Sequence, residues 1–457
     1  MKTAFVPSSP SSSIFSLPEG RPACRFRSAI RCGWRRLVFN LLRPMQKGRL
    51  VIETPDGVKH VFGEAGCTDA VEGVFEASIT VRRERFFRRC VLAGDIGFGE
   101  SYVDGDWDSP NVAAVIGWFL LNIDTAPTLS GSVRRRAHGW VVNLMRFVNR
   151  AEHLLRPNSR NIARRNISAH YDTSNAFFER LLGPSMMYSS ALWTKEGVTL
   201  DEAQEAKNEA LCTLLQLRPS DHVLEIGTGW GGWAIHAARH YGGRVTSITI
   251  SREQFTYAWD RMQREGVSDR VDVRLVDYRD IDGQYDKIVS IEMMEAIGHR
   301  YLPVFCQSVS RVLKPEGLMA LQYITCPDSR YDEFRRGVDF IQKHIFPGSL
   351  LLSQNRVSRL LAEKGGFVLH RLDDYGRDYA RTLEAWRRNL DSHRADMECM
   401  GFAERDFRKW AYYLDYCRAA FAMRNISVVQ ALYTRPNNLK LQSSFRGAKL
   451  ATLKPVA

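Results

Sequence analysis

In the second half of the chain, short apolar runs alternate with longer amphipathic ones. The runs at 221–226, 245–250, 271–275, 287–291 and 318–323 have strand length, and the stretches at 233–240 and 252–265 carry the 3.6-residue period of helices. Strands and helices joined in alternation by short links predict an α/β fold, a mainly parallel sheet with helices on both faces. Ligands of such sheets sit beyond the carboxyl ends of the strands.

The first third is patterned differently. Leu50, Val51 and Ile52 precede Pro55-Asp56-Gly57, which predicts a hairpin; 78–81 reads as a strand and 86–92 as a helix start. The Gly- and Asp-rich stretch 94–107 reads as a loop-rich connection. The apolar run at 113–123 is too short for the roughly 18–20 residues of a membrane span and reads as a buried helix. The expected organisation is therefore an N-terminal extension (1–47), a small α+β domain (48–131), a basic linker (132–165), the α/β domain (166–435) and a tail (436–457).

Charge changes the picture at the N-terminus. A Ser/Pro tract opens the chain, and arginines from Arg21 to Arg43 follow, with Glu19 the only acid nearby. Trp34, Leu37, Val38, Leu41 and Leu42 fall at helical spacing between those arginines. Such a segment can lie in a membrane interface, serve as an organelle transit peptide, or remain a disordered tail. The whole chain carries a net charge of +13, which calls for an anionic partner, lipid or nucleic acid. The nine cysteines are scattered, with no paired spacing, which suggests reduced thiols in the cytosol. The histidines show no metal-ligand spacing, so no metal is expected.

The clearest chemistry follows the first strand of the α/β part. Val223-Leu224-Glu225-Ile226 runs into Gly227-Thr228-Gly229-Trp230-Gly231-Gly232 and then a helix. A dinucleotide site would need an acid at the end of the next strand, yet that strand ends Ile248-Thr249-Ile250-Ser251. Three features favour S-adenosylmethionine instead. Glu225 precedes the turn, where it can support the loop and a cationic cofactor. Asp277-Tyr278 ends the third strand, and Leu313-Lys314-Pro315-Glu316-Gly317 reads as a helix-stop turn before the strand at 318–323.

Further motifs carry a family resemblance. Ala169-His170-Tyr171-Asp172, Met187-Tyr188-Ser189-Ser190-Ala191, Glu292-Met293-Met294-Glu295-Ala296-Ile297-Gly298, Ile345-Phe346-Pro347-Gly348, the stretch from Tyr379 to Trp386 and Tyr413-Leu414-Asp415-Tyr416-Cys417 stand in the order found in one family. Over 166–435 the chain resembles the cyclopropane-fatty-acid-synthase and mycolic-acid-methyltransferase family, closest to its plant-type branch. The resemblance implies a Rossmann-like class I methyltransferase domain. It implies that Tyr188, Ser189, Gly227, Gly229, Gly231, Thr249 and Gln254 contact S-adenosylmethionine, with Asp277, Tyr278 and Arg279 near its adenine. It also implies a bicarbonate site built from Glu295, Tyr379 and the main chain at Ile324. Ser190 and Gln322 stand there where the best-known bacterial members have Cys and His, and Ala296 where they have a second His.

The implied reaction adds the methyl carbon of S-adenosylmethionine to the cis double bond of a phospholipid acyl chain, and a base closes the cyclopropane ring. Glu295 would orient the bicarbonate base and Tyr379 would hydrogen-bond it. Duller readings stand beside these: Glu295 as a helix-start acid, Tyr379 as a core aromatic, His170 as a packing residue. Cys417 matches a cysteine once regarded as the family's nucleophile, but it shares an apolar helical face with Phe407, Trp410, Leu414 and Phe421, which suits a buried thiol. Rival functions are a methyl- or methylene-branching relative, a sphingolipid or small-amine methyltransferase, a nucleic-acid methyltransferase and an inactive lipid binder. The expected partner is unsaturated phospholipid on an anionic membrane, met peripherally from the cytoplasmic side, without nucleic acid; a homodimer is a further expectation.

Overall fold

A computed structural model describes residues 23–64, 75–125 and 174–441, with side chains from Gly33 onward. The linker expected at 132–165, the Ala169-His170-Tyr171-Asp172 motif and most of the C-terminal tail lie outside the described residues.

The large sheet has seven strands: β5 (His222–Ile226), β6 (Arg244–Thr249), β7 (Val271–Leu275), β8 (Tyr285–Ile291), β9 (Leu313–Thr325), β10 (Val368–Asp374) and β11 (Ser427–Thr434). Their order is β10-β11-β9-β8-β5-β6-β7. Neighbours from β9 through β7 are parallel, and β11 enters antiparallel between β9 and β10. Alternate residues divide between two cores, as strand geometry requires. Val223, Val289, Leu318 and Ala320 enter one, while Leu224, Ile288, Met319 and Leu321 enter the other. Both faces are therefore covered, which is why these strands read as continuous apolar runs.

The smaller sheet, ordered β2-β1-β3-β4, comprises β1 (Arg49–Glu53), β2 (Lys59–Phe62), β3 (Glu76–Val81) and β4 (Trp107–Asp108). β1 and β2 form the expected hairpin, with Leu50 opposite Phe62. Beside it run α1 (Ala23–Leu42), α2 (Arg85–Val103) and α3 (Val112–Leu121), the last capped by Asn111 Oδ1 on the Ala114 N–H at 3.0 Å. The apolar positions of α1 divide. Val38 and Leu42 are buried, whereas Leu37 and Leu41 are 49% and 41% exposed.

Two expectations are corrected. The stretch 94–107 is mostly helix: α2 bends at Gly94 (φ 57°) and continues to Val103. Its glycines serve packing rather than a loop, since a Cβ on Gly99 would come within 2.5 Å of the Phe340 ring and 2.7 Å of Tyr412. The Leu313–Gly317 segment does follow a helix end, at Val312, but it opens β9 instead of standing before it as a separate turn. Leu313 pairs with Tyr285 and the next pair is Lys287 with Leu318, so Lys314 to Gly317 bulge out of β9. Pro315 has no N–H to give the ladder, and Lys314 reaches Asp286 at 2.7 Å.

The remaining long helices are α4 (Asn175–Leu182), α5 (Leu200–Leu214), α6 (Gly232–Tyr241), α7 (Arg252–Arg264), α8 (Leu302–Val312), α9 (Gly376–Ser392) and α10 (Glu404–Ala422). α10 joins the two sheets' surroundings. Its Tyr412 ring packs on Phe98 and Tyr102, while Arg408 donates to the Tyr102 and Trp107 carbonyls at 2.6 and 2.9 Å. Residues from both parts consequently share one hydrophobic cluster. No helix among the described residues is long and apolar enough to cross a membrane.

Candidate active site

The glycine turn leaves β5 at its carboxyl end. The N–H groups of Gly227 and Thr228 both donate to the Ile248 carbonyl at 3.0 Å, which ties the turn to β6. Gly227 (φ 102°) and Gly231 (φ 87°) hold backbone conformations that favour glycine. Each is also crowded: a Cβ would lie 3.2 Å from Met293 at Gly227 and 2.5 Å from Met262 at Gly231. Gly229 (φ 52°) instead faces open space.

Glu225 lies beneath this turn, almost wholly buried. Ser247 Oγ donates to its carboxyl, and Thr228 Oγ1 lies 2.8 Å from that same hydroxyl. Burial pushes the Glu225 carboxyl up to about 8. Lys207 on α5 is buried nearby, and desolvation pushes it down to about 7 although Glu292 and Glu225 pull the other way. Its ammonium donates to Ser189 Oγ at 3.1 Å, and the neighbouring Gln204 amide donates to the Ser189 carbonyl at 2.9 Å.

At the ends of the next two strands, Thr249 Oγ1 donates to Gln254 Oε1 at 2.9 Å, and Ser251 caps α7 on the Gln254 N–H. Asp277 takes a two-pronged contact from Arg279, through Nε at 2.8 Å and Nη2 at 2.5 Å. That guanidinium lies over the Tyr278 and Tyr301 rings at 5.5 and 5.6 Å.

The carboxyl ends of β8 and β9 carry the densest polar cluster. Glu292 follows β8 with a φ of 49°, a left-handed conformation that costs a non-glycine residue about 1–3 kcal/mol. Its Oε1 accepts from the Ser190 N–H at 2.8 Å and from Gln322 Nε2 at 2.7 Å. Its Oε2 accepts from the Tyr379 hydroxyl at 2.8 Å. Gln322 is held from behind by Gln430, whose amide donates to Gln322 Oε1 at 2.9 Å. Desolvation raises the Glu292 carboxyl, opposed by these donors and by Lys207. Glu295 Oε1 accepts from the Ile324 N–H at 2.5 Å, while its buried Oε2 has no hydrogen-bond partner among the described residues. Burial, with the charge of Glu292, pushes Glu295 up to about 8.

Aromatic rings wall this cluster. Tyr379 packs on Phe421 at 4.4 Å and on Trp386 at 6.1 Å. Tyr188 stands 5.3 Å from Trp386 and donates to the Tyr413 hydroxyl at 3.1 Å. Cys417 is half-buried against the same cluster, and desolvation raises its thiol, which disfavours the thiolate a nucleophile needs.

The structure brings Ser190, Gln322 and Tyr379 together around the carboxylate of Glu292, where a bound bicarbonate had been expected, while Glu295 meets the Ile324 main chain. Sequence reasoning passed over Glu292, Lys207 and Gln430. The available signal was Glu292 itself, the first acid of Glu292-Met293-Met294-Glu295, placed where the strand meets the ligand edge.

These residues fit S-adenosylmethionine. The glycine turn admits close backbone approach, the Thr249–Gln254 pair suits hydroxyl groups, the Tyr278 ring suits a flat base, and the acids suit a sulfonium. They do not fit bicarbonate, because the Ser190, Gln322 and Tyr379 donors already serve a protein carboxylate and Ile324 serves another.

Comparison with known proteins agrees with the cofactor. The family described as mycolic acid cyclopropane synthetase matches residues 158–431. The tuberculostearic acid methyltransferase of Mycobacterium tuberculosis is 34% identical over 388 residues, 81% of this chain and 86% of that protein. The cyclopropane-fatty-acyl-phospholipid synthase of Escherichia coli K12 is 33% identical over 367 residues, 80% and 90% of the two chains. A mycolic acid cyclopropane synthase, CmaA1, solved with SAH and CTAB, superposes with a TM-score of 0.55 at 28% identity, covering 60% of this chain and 98% of that one. The chain belongs to the mycolic acid cyclopropane synthetase family and is an S-adenosylmethionine-dependent methyltransferase.

Proposed function

We propose that the protein adds the methyl carbon of S-adenosylmethionine to the cis double bond of unsaturated phospholipid acyl chains, giving cyclopropane fatty acids. The observation that carries this reading is the aromatic-walled carboxylate cluster at the ends of β8 and β9. An alkene is a weak nucleophile, and methylating it leaves a carbocation on the acyl chain. The faces of Tyr379, Tyr188, Trp386 and Phe421 can stabilise that cation, and a carboxylate beside it adds Coulombic support in a dry site. S-adenosylmethionine supplies, when bound, an electrophilic methyl carbon on a sulfonium.

Residue roles follow from chemistry. Tyr188, Ser189, Gly227, Gly229, Gly231, Thr249, Gln254, Tyr278 and Arg279 hold the cofactor, with Asp277 fixing Arg279 and Glu225 supporting the turn through Ser247. Ser190, Gln322 and Tyr379 hold an anion beside the reacting carbon, and Glu295 is braced by the Ile324 main chain. Cys417 packs and does not react. The acyl substrate comes from a membrane surface, which the outward Leu37 and Leu41 on a basic helix suit. A methyl- or methylene-branched product is the second reading, favoured by similarity to a relative named for tuberculostearic acid.

The test incubates the purified protein with S-adenosylmethionine and vesicles of cis-monounsaturated phospholipid, then analyses fatty acid methyl esters by mass spectrometry. A gain of one CH2 that resists hydrogenation supports ring formation. A gain that takes up hydrogen, or a saturated branch, supports the second reading. No gain with bound cofactor rules out the acyl-phospholipid assignment.

A further inference from the structure

The donors expected to bind an external anion converge on one side chain of the protein. The Ser190 N–H, the Gln322 amide and the Tyr379 hydroxyl all point at the Glu292 carboxylate, at 2.7–2.8 Å. We propose that Glu292 is itself the base that takes the proton from the newly added methyl carbon, standing where an external bicarbonate was expected. This assignment rests on reading the chain as an acyl-chain methyltransferase.

Four observations support it. The three donors come from three separate segments, the Tyr188–Ala191 stretch, β9 and α9, so the carboxylate is fixed from several sides. The Gln322 amide cannot rotate away, because Gln430 anchors its oxygen. Glu292 keeps a left-handed backbone where glycine would be favoured, with its N–H donating to the Gln322 carbonyl at 2.7 Å. A strained non-glycine residue persists where its surroundings over-determine it, and such positions cluster at active sites. Finally, the two neighbouring acids differ in their partners. Glu295 accepts from the Ile324 N–H, and among the described residues its other oxygen has no hydrogen-bond partner, so of the two it more readily holds a proton and leaves the charge on Glu292.

After transfer, the acyl chain carries the new methyl on one former alkene carbon and a positive charge on the other. A C–H bond of that methyl breaks, its electron pair forms the carbon–carbon bond that closes the ring, and the proton goes to Glu292. The neutral carboxyl then releases its proton to water as the product leaves.

The experiment compares wild type with E292Q and E292G, using S-adenosylmethionine and cis-monounsaturated vesicles in buffer purged of carbon dioxide or supplemented with bicarbonate. Binding of 13C-bicarbonate to each protein, saturated with S-adenosylhomocysteine, is followed in parallel by NMR. Wild type is expected to turn over at the same rate with and without bicarbonate and to bind none. E292Q should lose about 100-fold or more of the rate while keeping its cofactor affinity. E292G, whose backbone suits the φ at this position, should be inactive in purged buffer, should bind bicarbonate and should regain turnover when it is added. Wild-type turnover that collapses on purging, wild-type bicarbonate binding, or an E292Q rate near wild type would each overturn the proposal. The wild-type measurements decide it even if a variant fails to fold. Wild type that binds cofactor but methylates no lipid at either bicarbonate level overturns the acyl-chain reading, and the proton transfer with it; bicarbonate bound by wild type overturns the place of Glu292 alone.

Discussion

The Tyr379 hydroxyl donates to Glu292 Oε2 at 2.8 Å, and among the described residues it is the donor that holds that oxygen. Removing it by Y379F leaves the ring packing on Phe421 and Trp386 in place but releases one side of the carboxylate. A hydrogen bond to a charged group is worth about 1.5–3 kcal/mol, or about 10- to 100-fold in rate. The expected outcome is a kcat lowered by that factor with the KM for S-adenosylmethionine little changed. A donor to the carboxylate favours its charged form, so its loss should also move the acid limb of the pH–rate profile to higher pH. An unmoved limb would mean that Tyr379 acts through packing.

Glu225 makes stability depend on pH in a definite direction. Its carboxyl is raised from 4.5 to about 8, so between those values the folded protein holds a proton that the unfolded chain releases. Its contribution is complete below about 4.5 and is lost as the pH rises through about 8. Glu295 acts the same way, whereas Lys207, lowered from 10.5 to about 7, gives stability that grows as the pH rises across its own window. Replacing Glu225 with Gln should keep the contact with Ser247 and remove this acid's slope. Thermal melts should show E225Q gaining on wild type from pH 5 to 8, by a few degrees at the upper end. Parallel curves would place the proton elsewhere.

Much of the α/β fold was legible because its strands are buried on both faces and its helices are amphipathic, so each announced its own period. The glycine turn was legible because a specific backbone demands those residues. What escaped was tertiary. Glu292 and Tyr379 are 87 positions apart, and nothing local in Glu292-Met293-Met294-Glu295 distinguishes an acid that gathers three donors from one that gathers a single N–H. The helix through Gly97 and Gly99 was hidden for a related reason. Small residues needed for close contact, Gly97 with Arg89 and Ala93 and Gly99 with Phe340 and Tyr412, look in sequence like residues of a loop.

Arg408 should fasten the N-terminal sheet to α10. It is only slightly exposed, donates to two carbonyls, pairs with Asp108 at 2.7 Å and covers the Tyr102 ring at 4.1 Å. Changing it to Met keeps some packing but leaves the carbonyls of Tyr102 and Trp107 without this donor, at a cost of about 2–4 kcal/mol. Hydrogen exchange should speed up across α2 and β4 while the strands around the glycine turn stay protected. Uniform loosening of the whole chain would instead show that the two sheets unfold as one unit.

The outward pair Leu37 and Leu41 gives a test of membrane contact that leaves the reaction site alone. Both stand on the exposed side of α1 with Arg36 and Arg43 on the same helix and just beyond it, while Val38 and Leu42 anchor the opposite side in the core. Replacing the outward leucines with Glu removes apolar area available to the lipid boundary and adds charge that anionic headgroups repel, without opening a cavity. Binding of the full chain to vesicles containing phosphatidylglycerol should weaken about 10- to 100-fold, with S-adenosylmethionine affinity and melting temperature unchanged. The double variant should also lose turnover on vesicles yet keep it on detergent-dispersed lipid, because the defect lies in reaching the substrate and not in transforming it. Vesicle binding that survives both substitutions would move the contact to another surface.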